Sequence, residues 1–232
     1  MTDPANGPSL EYGYSDRYVG NKGAEYFEWQ NQAGTVGGQL EAGKFAAFIG
    51  AGDCVLDLGC GGGHTLKALA CGRRIGVEIN PAAREAARSS GIECYSSIAD
   101  VPDQIADVAI SNHALEHIPY PIAALSQLRA KIRNGGKFLL CVPIDDWRMQ
   151  TDIHKSDING HLQTWTPLLL FNTLRESGYD CTRCDITVLT HAWFPGYAKA
   201  FRILPRQMFD FLCYLWSVAR KRRQIMAIIR SI

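Results

Sequence analysis

Short apolar runs alternate with longer mixed segments through the middle of the chain. Strands that are apolar throughout belong in a parallel sheet whose two faces are covered by helices. The pattern therefore predicts an α/β fold with a doubly wound, mostly parallel sheet. Strands are predicted at 54–58, 74–79, 92–95, 107–111, 137–142 and 186–189. Helices are predicted at 64–71, 81–90, 122–132 and 166–177.

Residues that typically begin or end helices mark further boundaries along the chain. Asn80 and Thr166 each precede a proline, which is typical of an N-cap followed by the first helical position. We predict a helix break at Gly37–Gly38 and a mostly helical segment from Phe194 onward. The predicted units are an N-terminal arm or lid (1–38), the main α/β domain (39–192) and a helical C-terminal extension (193–232).

The amino-acid composition excludes several classes of protein function but does not identify a single one. Of the 232 residues, 47% are hydrophobic and 20% are charged, and a net charge of +1 gives no field that favours nucleic acid. The eight cysteines are scattered, several of them in apolar runs, which is typical of reduced thiols in a cytoplasmic protein. Cys181 and Cys184 form a lone CxxC without the further ligands of a zinc site, so no metal site is predicted. No apolar run near the N-terminus predicts a signal peptide.

A glycine-rich loop follows the first predicted strand, with Asp57 at the strand end and glycines at 59, 61 and 63. Glycines between a strand and a helix let the backbone approach a ligand, and the helix N-terminus favours a phosphate or a carboxylate. Asp57 would repel a pyrophosphate but would suit a ligand that carries an ammonium group. An NAD-dependent dehydrogenase, which has G-x-G-x-x-G at this place, is therefore the less favoured alternative.

A second acid, Glu78, ends the second predicted strand about 20 residues beyond the loop, where a carboxylate can bind ribose hydroxyls. The two acids and the glycines together describe a ligand with an ammonium group, a carboxylate and a ribose. S-adenosylmethionine has all three.

Four segments in this order resemble the motifs of class I S-adenosylmethionine-dependent methyltransferases, namely 55–63, 76–80, 107–117 and 128–138. The resemblance implies a Rossmann-like sheet of seven strands and a methyltransferase that acts on a small molecule. The sequence is similar to bacterial members associated with cell-surface polysaccharide synthesis, which implies a sugar or glycolipid acceptor. A quinone or lipid methyltransferase and a non-catalytic S-adenosylmethionine-binding module are the alternatives, and no nucleic-acid substrate is implied.

The resemblance also implies which residues contact the cofactor. These are Asp57, Gly59, Cys60, Gly61, Glu78, Ile79, Ser97, Asn112 and His113. Glu78 would hold the ribose, Ile79 would pack on the adenine, and Asn112 and His113 would lie near the sulfonium. Many relatives have an aspartate near the adenine amine, and Ser97 takes its place here.

Methyl transfer is an in-line displacement in which positioning supplies much of the acceleration, and an oxygen or nitrogen acceptor also needs a base. The candidate bases are His113, His117, Asp145 and His161. His113 is nearest to the expected sulfonium. For His117 a structural role is the favoured interpretation, His161 either holds its loop or faces the substrate, and Asp145 is either a base or part of a solvated loop.

Two segments outside the motifs carry aromatic residues. Tyr18, Tyr26 and their neighbours form either a lid over the cofactor or ordinary core packing.

The apolar stretch from Met208 to Val218 is followed by the basic run Arg220–Arg223. We favour a helical cap or a homodimer interface there, and the alternative is peripheral contact with the inner face of a membrane.

Overall fold

The computed structural model describes residue 18 and residues 20–31, 34–144 and 160–230. Strands β1 to β7 are Cys54–Leu58, Arg73–Val77, Glu93–Tyr95, Ala106–Asn112, Ile132–Ile144, Cys184–Leu189 and Arg223–Arg230. Helices α1 to α8 are Gly20–Asn31, Gly34–Ala42, His64–Ala68, Pro81–Ser89, Pro121–Lys131, Pro167–Glu176, Tyr197–Ile203 and Arg206–Ala219. Short 3-10 turns cover Ala46–Phe48, Ile98–Asp100, Leu115–His117 and Cys181–Arg183.

The seven strands form one sheet in the order β3-β2-β1-β4-β5-β7-β6. β1 to β5 are parallel to one another, and β7 is antiparallel to both β5 and β6. From β1 the chain continues outward to β2 and β3, and it then returns to add β4 and β5 on the other side. A ligand of such a sheet binds where the direction reverses, at the carboxyl ends of β1 and β4. The predicted fold class is thus confirmed, and the sheet is mixed.

The prediction that residues 193–232 are a helical extension is wrong for β7. Its residues Ile225 to Ile229 form a short apolar run, which periodicity cannot assign to helix or strand. Lys221 adopts a left-handed φ of 52° after α8 and turns the chain back toward the sheet. β7 then enters between β5 and β6, so the third predicted unit contributes a strand to the main sheet.

The core lies on both faces of the sheet. Successive residues of β1 point to opposite faces, with Val55 in one cluster and Leu56 in the other. The cluster around Leu56 contains Leu125 and Trp165, and both side chains are fully buried. This two-sided burial explains why the strands are apolar throughout.

Two predicted helix starts are confirmed, and one predicted break is wrong. The Asn80 side chain accepts from the Ala82 N–H at 3.0 Å, and Thr166 accepts from Leu169 at 3.1 Å. α2 continues through Gly37–Gly38 instead of ending there. A Cβ on Gly38 would lie 2.5 Å from the His64 carbonyl oxygen, so this glycine serves the close packing of α2 on α3.

Helices α7 and α8 confirm the helical part of the C-terminal prediction. Phe209 and Cys213 on α8 are fully buried against Val36 and Leu40 of α2, so α8 caps that side of the domain. Within the described ranges, no helix combines the length and the apolar character that crossing a membrane requires.

Candidate functional site

The glycine-rich loop joins β1 to α3 at the edge where β1 and β4 end. Gly59 and Gly61 have φ of 80° and 53°, a backbone region that L side chains rarely adopt. A Cβ on Gly59 would lie 2.4 Å from the Cβ of Ala114, just beyond β4. The Gly59 N–H donates to the Val77 carbonyl at 2.9 Å, which fixes the loop to β2.

Two carboxylates flank this loop, and Asp57 is buried whereas Glu78 is partly buried. Asp57 is 3% exposed, and its Oδ1 has no hydrogen-bond partner among the described residues. Burial, and then the nearby Glu78 carboxylate, raise the pKa of Asp57 to about 8. Glu78 accepts from the Asn80 N–H at 2.8 Å and from the Gly61 N–H at 2.9 Å, while burial raises its pKa. Two adjacent carboxylates, one buried and one partly buried, favour a ligand that brings a positive charge.

Two adjoining cavities lie along the loop. The first cavity, of about 330 Å³, is lined by Glu78 and Ile79 among others. The second cavity, of about 380 Å³, is lined by Asp57 and Asn112 among others. The two share Gln30, Gly59 and His113 in their walls. One elongated ligand can therefore extend from the Asp57 carboxylate to the Glu78 carboxylate past His113.

His113 follows β4 and adopts a left-handed φ of 52°. Its N–H donates to the Cys141 carbonyl at 2.9 Å, which holds this conformation at the end of β5. Its Nδ1 lies 3.7 Å from Glu116 Oε1. Burial, followed by the Lys44 charge, lowers the pKa of His113 to about 4. The imidazole is therefore neutral at physiological pH.

A buried polar network beside the second cavity was not predicted from the sequence. Lys44 Nζ donates to Gln224 Oε1 at 2.7 Å and to Asn112 Oδ1 at 3.3 Å, and it pairs closely with Glu41. Burial alone would lower the pKa of Lys44, but the Glu41 carboxylate raises it above its ordinary value. Glu41 and Lys44 lie three residues apart, whereas Gln224 comes from β7. No local motif joins them, so the sequence carries no signal for this network.

The remaining predicted cofactor residues have different positions. Ile79 lines the first cavity and Cys60 the second, although the Cys60 thiol lies 3.6 Å from Cys94 Sγ in the core. Ser97 lines neither cavity. Its hydroxyl accepts from the Ala99 N–H at 3.2 Å and caps a 3-10 turn, and the next residue, Ile98, lines the first cavity instead.

Three of the four candidate bases lie at one corner of the site. His117 lines the first cavity, and its ring lies 5.0 Å from the His161 ring in an edge-to-face arrangement. His113 lies in the wall between the cavities. Asp145 falls outside the described residues.

Helix α1 covers the loop. Tyr18 and Tyr26 line the first cavity, and Phe27 lines the second. Asn80 Nδ2 donates to the Gly23 carbonyl at 2.7 Å, which attaches α1 to the start of α4. The segment before β1 thus forms part of both cavity walls.

A doubly wound sheet with a glycine loop at its switch point, and acids at the ends of β1 and β2, is typical of folds that bind an adenosine-containing cofactor. The chain belongs to the methyltransferase-domain family, whose profile matches residues 38–183. This membership confirms the predicted enzyme class, a methyltransferase with S-adenosylmethionine as its cofactor. No curated protein sequence matches the chain.

Solved structures share the fold. An S-adenosylmethionine-dependent methyltransferase from Archaeoglobus fulgidus has a TM-score of 0.61 at 15% identity, covering 88% of this chain and 99% of its own. A Thermotoga maritima methyltransferase, described as a possible histamine N-methyltransferase, has a TM-score of 0.62 at 14% identity, covering 89% and 95%. A Haloferax volcanii putative methyltransferase complexed with its Trm112 activator has a TM-score of 0.61 at 16% identity, covering 90% and 98%.

The residues present fit the cofactor. Asp57 Oδ1 is a buried acceptor without a partner in the described part of the chain, as an ammonium group requires. The left-handed glycines leave backbone close to the second cavity with no side chain in the way. Glu78 lies in the first cavity, where it can reach ribose hydroxyls.

Proposed function

We propose that the second cavity receives the methionine end of S-adenosylmethionine and the first cavity receives its adenosine. The proposal is carried by the buried Asp57 Oδ1 in the second cavity, which has no hydrogen-bond partner among the described residues, together with Glu78 in the first cavity. When bound, the cofactor supplies a methyl group on a positively charged sulfur. Asp57 holds the ammonium group, Glu78 holds the ribose, and Ile79 and Ile98 pack against the adenine.

The direct test is cofactor binding by calorimetry. Asp57→Ala and Glu78→Ala are expected to abolish measurable binding, because each removes a charged partner of the ligand. Lys67→Ala is a matched control, since Lys67 belongs to α3 and lines neither cavity. Unchanged affinity in either acid variant would refute the placement of the cofactor.

We propose that His113 is the base that removes a proton from the methyl acceptor. It lies in the wall shared by both cavities, and its imidazole is neutral and able to accept a proton. His117 lies farther along the first cavity, with the His161 ring 5.0 Å away, and the two histidines orient the acceptor. Asp145, which lies outside the described residues, stays a candidate.

Helix α1 is proposed as a lid. It contributes Tyr26 to the first cavity, and Tyr18 just before the helix lines the same cavity, so the cofactor cannot leave in that direction without movement of α1. Closure over the bound cofactor would also exclude water from the sulfonium.

For the acceptor we propose a small molecule, namely a sugar or glycolipid of surface polysaccharide synthesis. This acceptor class is proposed because the sequence is similar to methyltransferases associated with cell-surface polysaccharide synthesis. The outer face of α8 supports an acceptor that is carried on a membrane. Six large apolar side chains of α8 are exposed: Met208, Phe211, Leu212, Tyr214, Leu215 and Val218. Arg220–Lys221–Arg222 follows directly, which is the combination expected at an anionic membrane surface.

The acceptor class is tested by methyl transfer. Purified full-length protein is incubated with labelled S-adenosylmethionine and, separately, with nucleotide sugars, glycolipids in vesicles, quinones and phospholipids. Label in the sugar or glycolipid fraction supports the proposal. Label in quinone or phospholipid supports the alternative acceptor class. Cofactor binding without label in any fraction would indicate a non-catalytic binding module.

Membrane docking has its own test, which is flotation with vesicles of phosphatidylglycerol and with neutral vesicles. Binding to the anionic vesicles only is expected, with loss in Phe211→Glu, whose side chain is 58% exposed on α8. Leu168→Glu, which changes a 69% exposed residue of α6, is the matched control and should float like the wild type. Absence of flotation together with a dimer by light scattering would favour a second copy as the occupant of this face.

A further inference from the structure

Three potential metal ligands meet beside the first cavity, and we name them the His–Glu cluster: Glu116, His117 and His161. One ligand atom of each, a carboxylate oxygen or an imidazole nitrogen, lies within 4.8 Å of the other two. Metal sites require such convergence of donor atoms.

The backbone holds this cluster together. Glu116 and His117 lie on the 3-10 turn after β4. The Glu116 carbonyl accepts from the N–H groups of Leu162 at 2.8 Å and Gln163 at 3.2 Å. These two bonds fasten the segment that contains His161 against the turn, and the rings of the two histidines lie 5.0 Å apart. The positions are thus set by main-chain bonds rather than by side chains alone.

The electrostatics of the cluster suit a divalent cation. The Glu116 side chain is 1% exposed, so its carboxylate is almost fully removed from water. Burial of a carboxylate is costly unless a positive charge or hydrogen bonds compensate for it. His113 Nδ1 lies 3.7 Å from Glu116 Oε1, which brings a third imidazole near the same oxygen. A His–Glu hydrogen-bonded network is the alternative explanation of the same geometry.

We propose that the His–Glu cluster binds one divalent first-row transition-metal ion of the zinc or manganese type. Two imidazoles and one carboxylate are typical ligands of these ions, and a catalytic site of this kind leaves the fourth position open. Since His117 and Leu162 line the first cavity, the open position faces that cavity. An acceptor oxygen that binds there would lose its proton more readily. This last step rests on the proposed function, whereas ion binding does not.

The test is titration of chelator-treated, full-length protein with CoCl2 alone, followed by visible absorption and then by competition with ZnCl2. One saturable site is expected. His161→Ala should weaken it by about 100-fold or more, because even residues that only support a ligand change affinity by about 10–100-fold. His191→Ala is the matched control, because it removes another partly buried histidine outside the cluster, and it should bind like the wild type.

Glu116→Gln gives a second variant of nearly the same shape, and circular dichroism checks that both variants fold. Pulsed EPR of the Mn²⁺-loaded wild type needs no variant and should detect coordinated imidazole nitrogens. Unchanged Co²⁺ affinity in folded His161→Ala, or an EPR signal without nitrogen coupling, would overturn the site. All of these measurements are made without S-adenosylmethionine, so a negative result does not contradict the methyltransferase assignment.

Discussion

Cofactor affinity should fall steeply as the pH is lowered below 8, because Asp57 must be ionised to hold an ammonium group. The pKa of Asp57 in the free protein is about 8, raised by burial and then by Glu78. Binding a cation therefore requires release of a proton from Asp57, and the cost of that release grows as the pH falls.

The magnitude follows from the ionised fraction. With this pKa, about 24% of Asp57 is ionised at pH 7.5 and about 1% at pH 6.0. The dissociation constant should therefore rise about 25-fold over this range, which corresponds to about 1.9 kcal/mol. The ammonium group of the ligand stays mostly charged below pH 7.5. His113, with a pKa of about 4, stays neutral throughout and contributes no slope.

Isothermal titration calorimetry at several pH values, in two buffers of different ionisation enthalpy, measures both the affinity and the proton released. Asp57→Asn keeps the shape but cannot titrate, so its weaker binding should be nearly independent of pH from 6.0 to 7.5. A flat profile in the wild type, or an unchanged slope in Asp57→Asn, would contradict the role given to this buried carboxylate.

Three further predictions concern the loop, the buried ion pair and the base. Gly59→Ala should abolish cofactor binding, since its Cβ would lie 2.4 Å from that of Ala114; calorimetry measures this, and normal affinity would refute it. Lys44→Met should lower the free energy of unfolding in urea by about 3–5 kcal/mol, because it leaves the Glu41 charge buried and unpaired, and Glu41→Gln should restore part of the loss. His113→Ala should lower kcat more than cofactor affinity, and equal loss of both would remove it as the base.

Features encoded by neighbouring residues were predictable. The loop from Asp57 to Gly63, the Glu78 carboxylate and the Asn80 cap each depend on a few adjacent positions; in the structure Asp57 and Glu78 line the two cavities and Asn80 caps α4. Ser97 was the exception, because its hydroxyl has a backbone N–H two residues away as a competing partner.

Features that depend on distant partners were not predictable. β7 is apolar because it lies between two strands, and its sequence shows no period that separates it from a buried helix. The Lys44 network needs Gln224, whose position follows only once β7 is placed. The pairing of His117 with His161 likewise arises from main-chain bonds between two separate segments.

The position of β7 also sets an order of assembly. β6 pairs with β7 and with no other described strand, so it cannot join the sheet before residues 223–230 have been synthesised. Until then the edge of β5 is unpaired on the emerging chain, and such edges attract strands of other molecules. Helices α7 and α8 must be complete before that edge is closed. A chain cut at residue 195 would therefore lose two strands of the sheet, and we expect it to aggregate during synthesis.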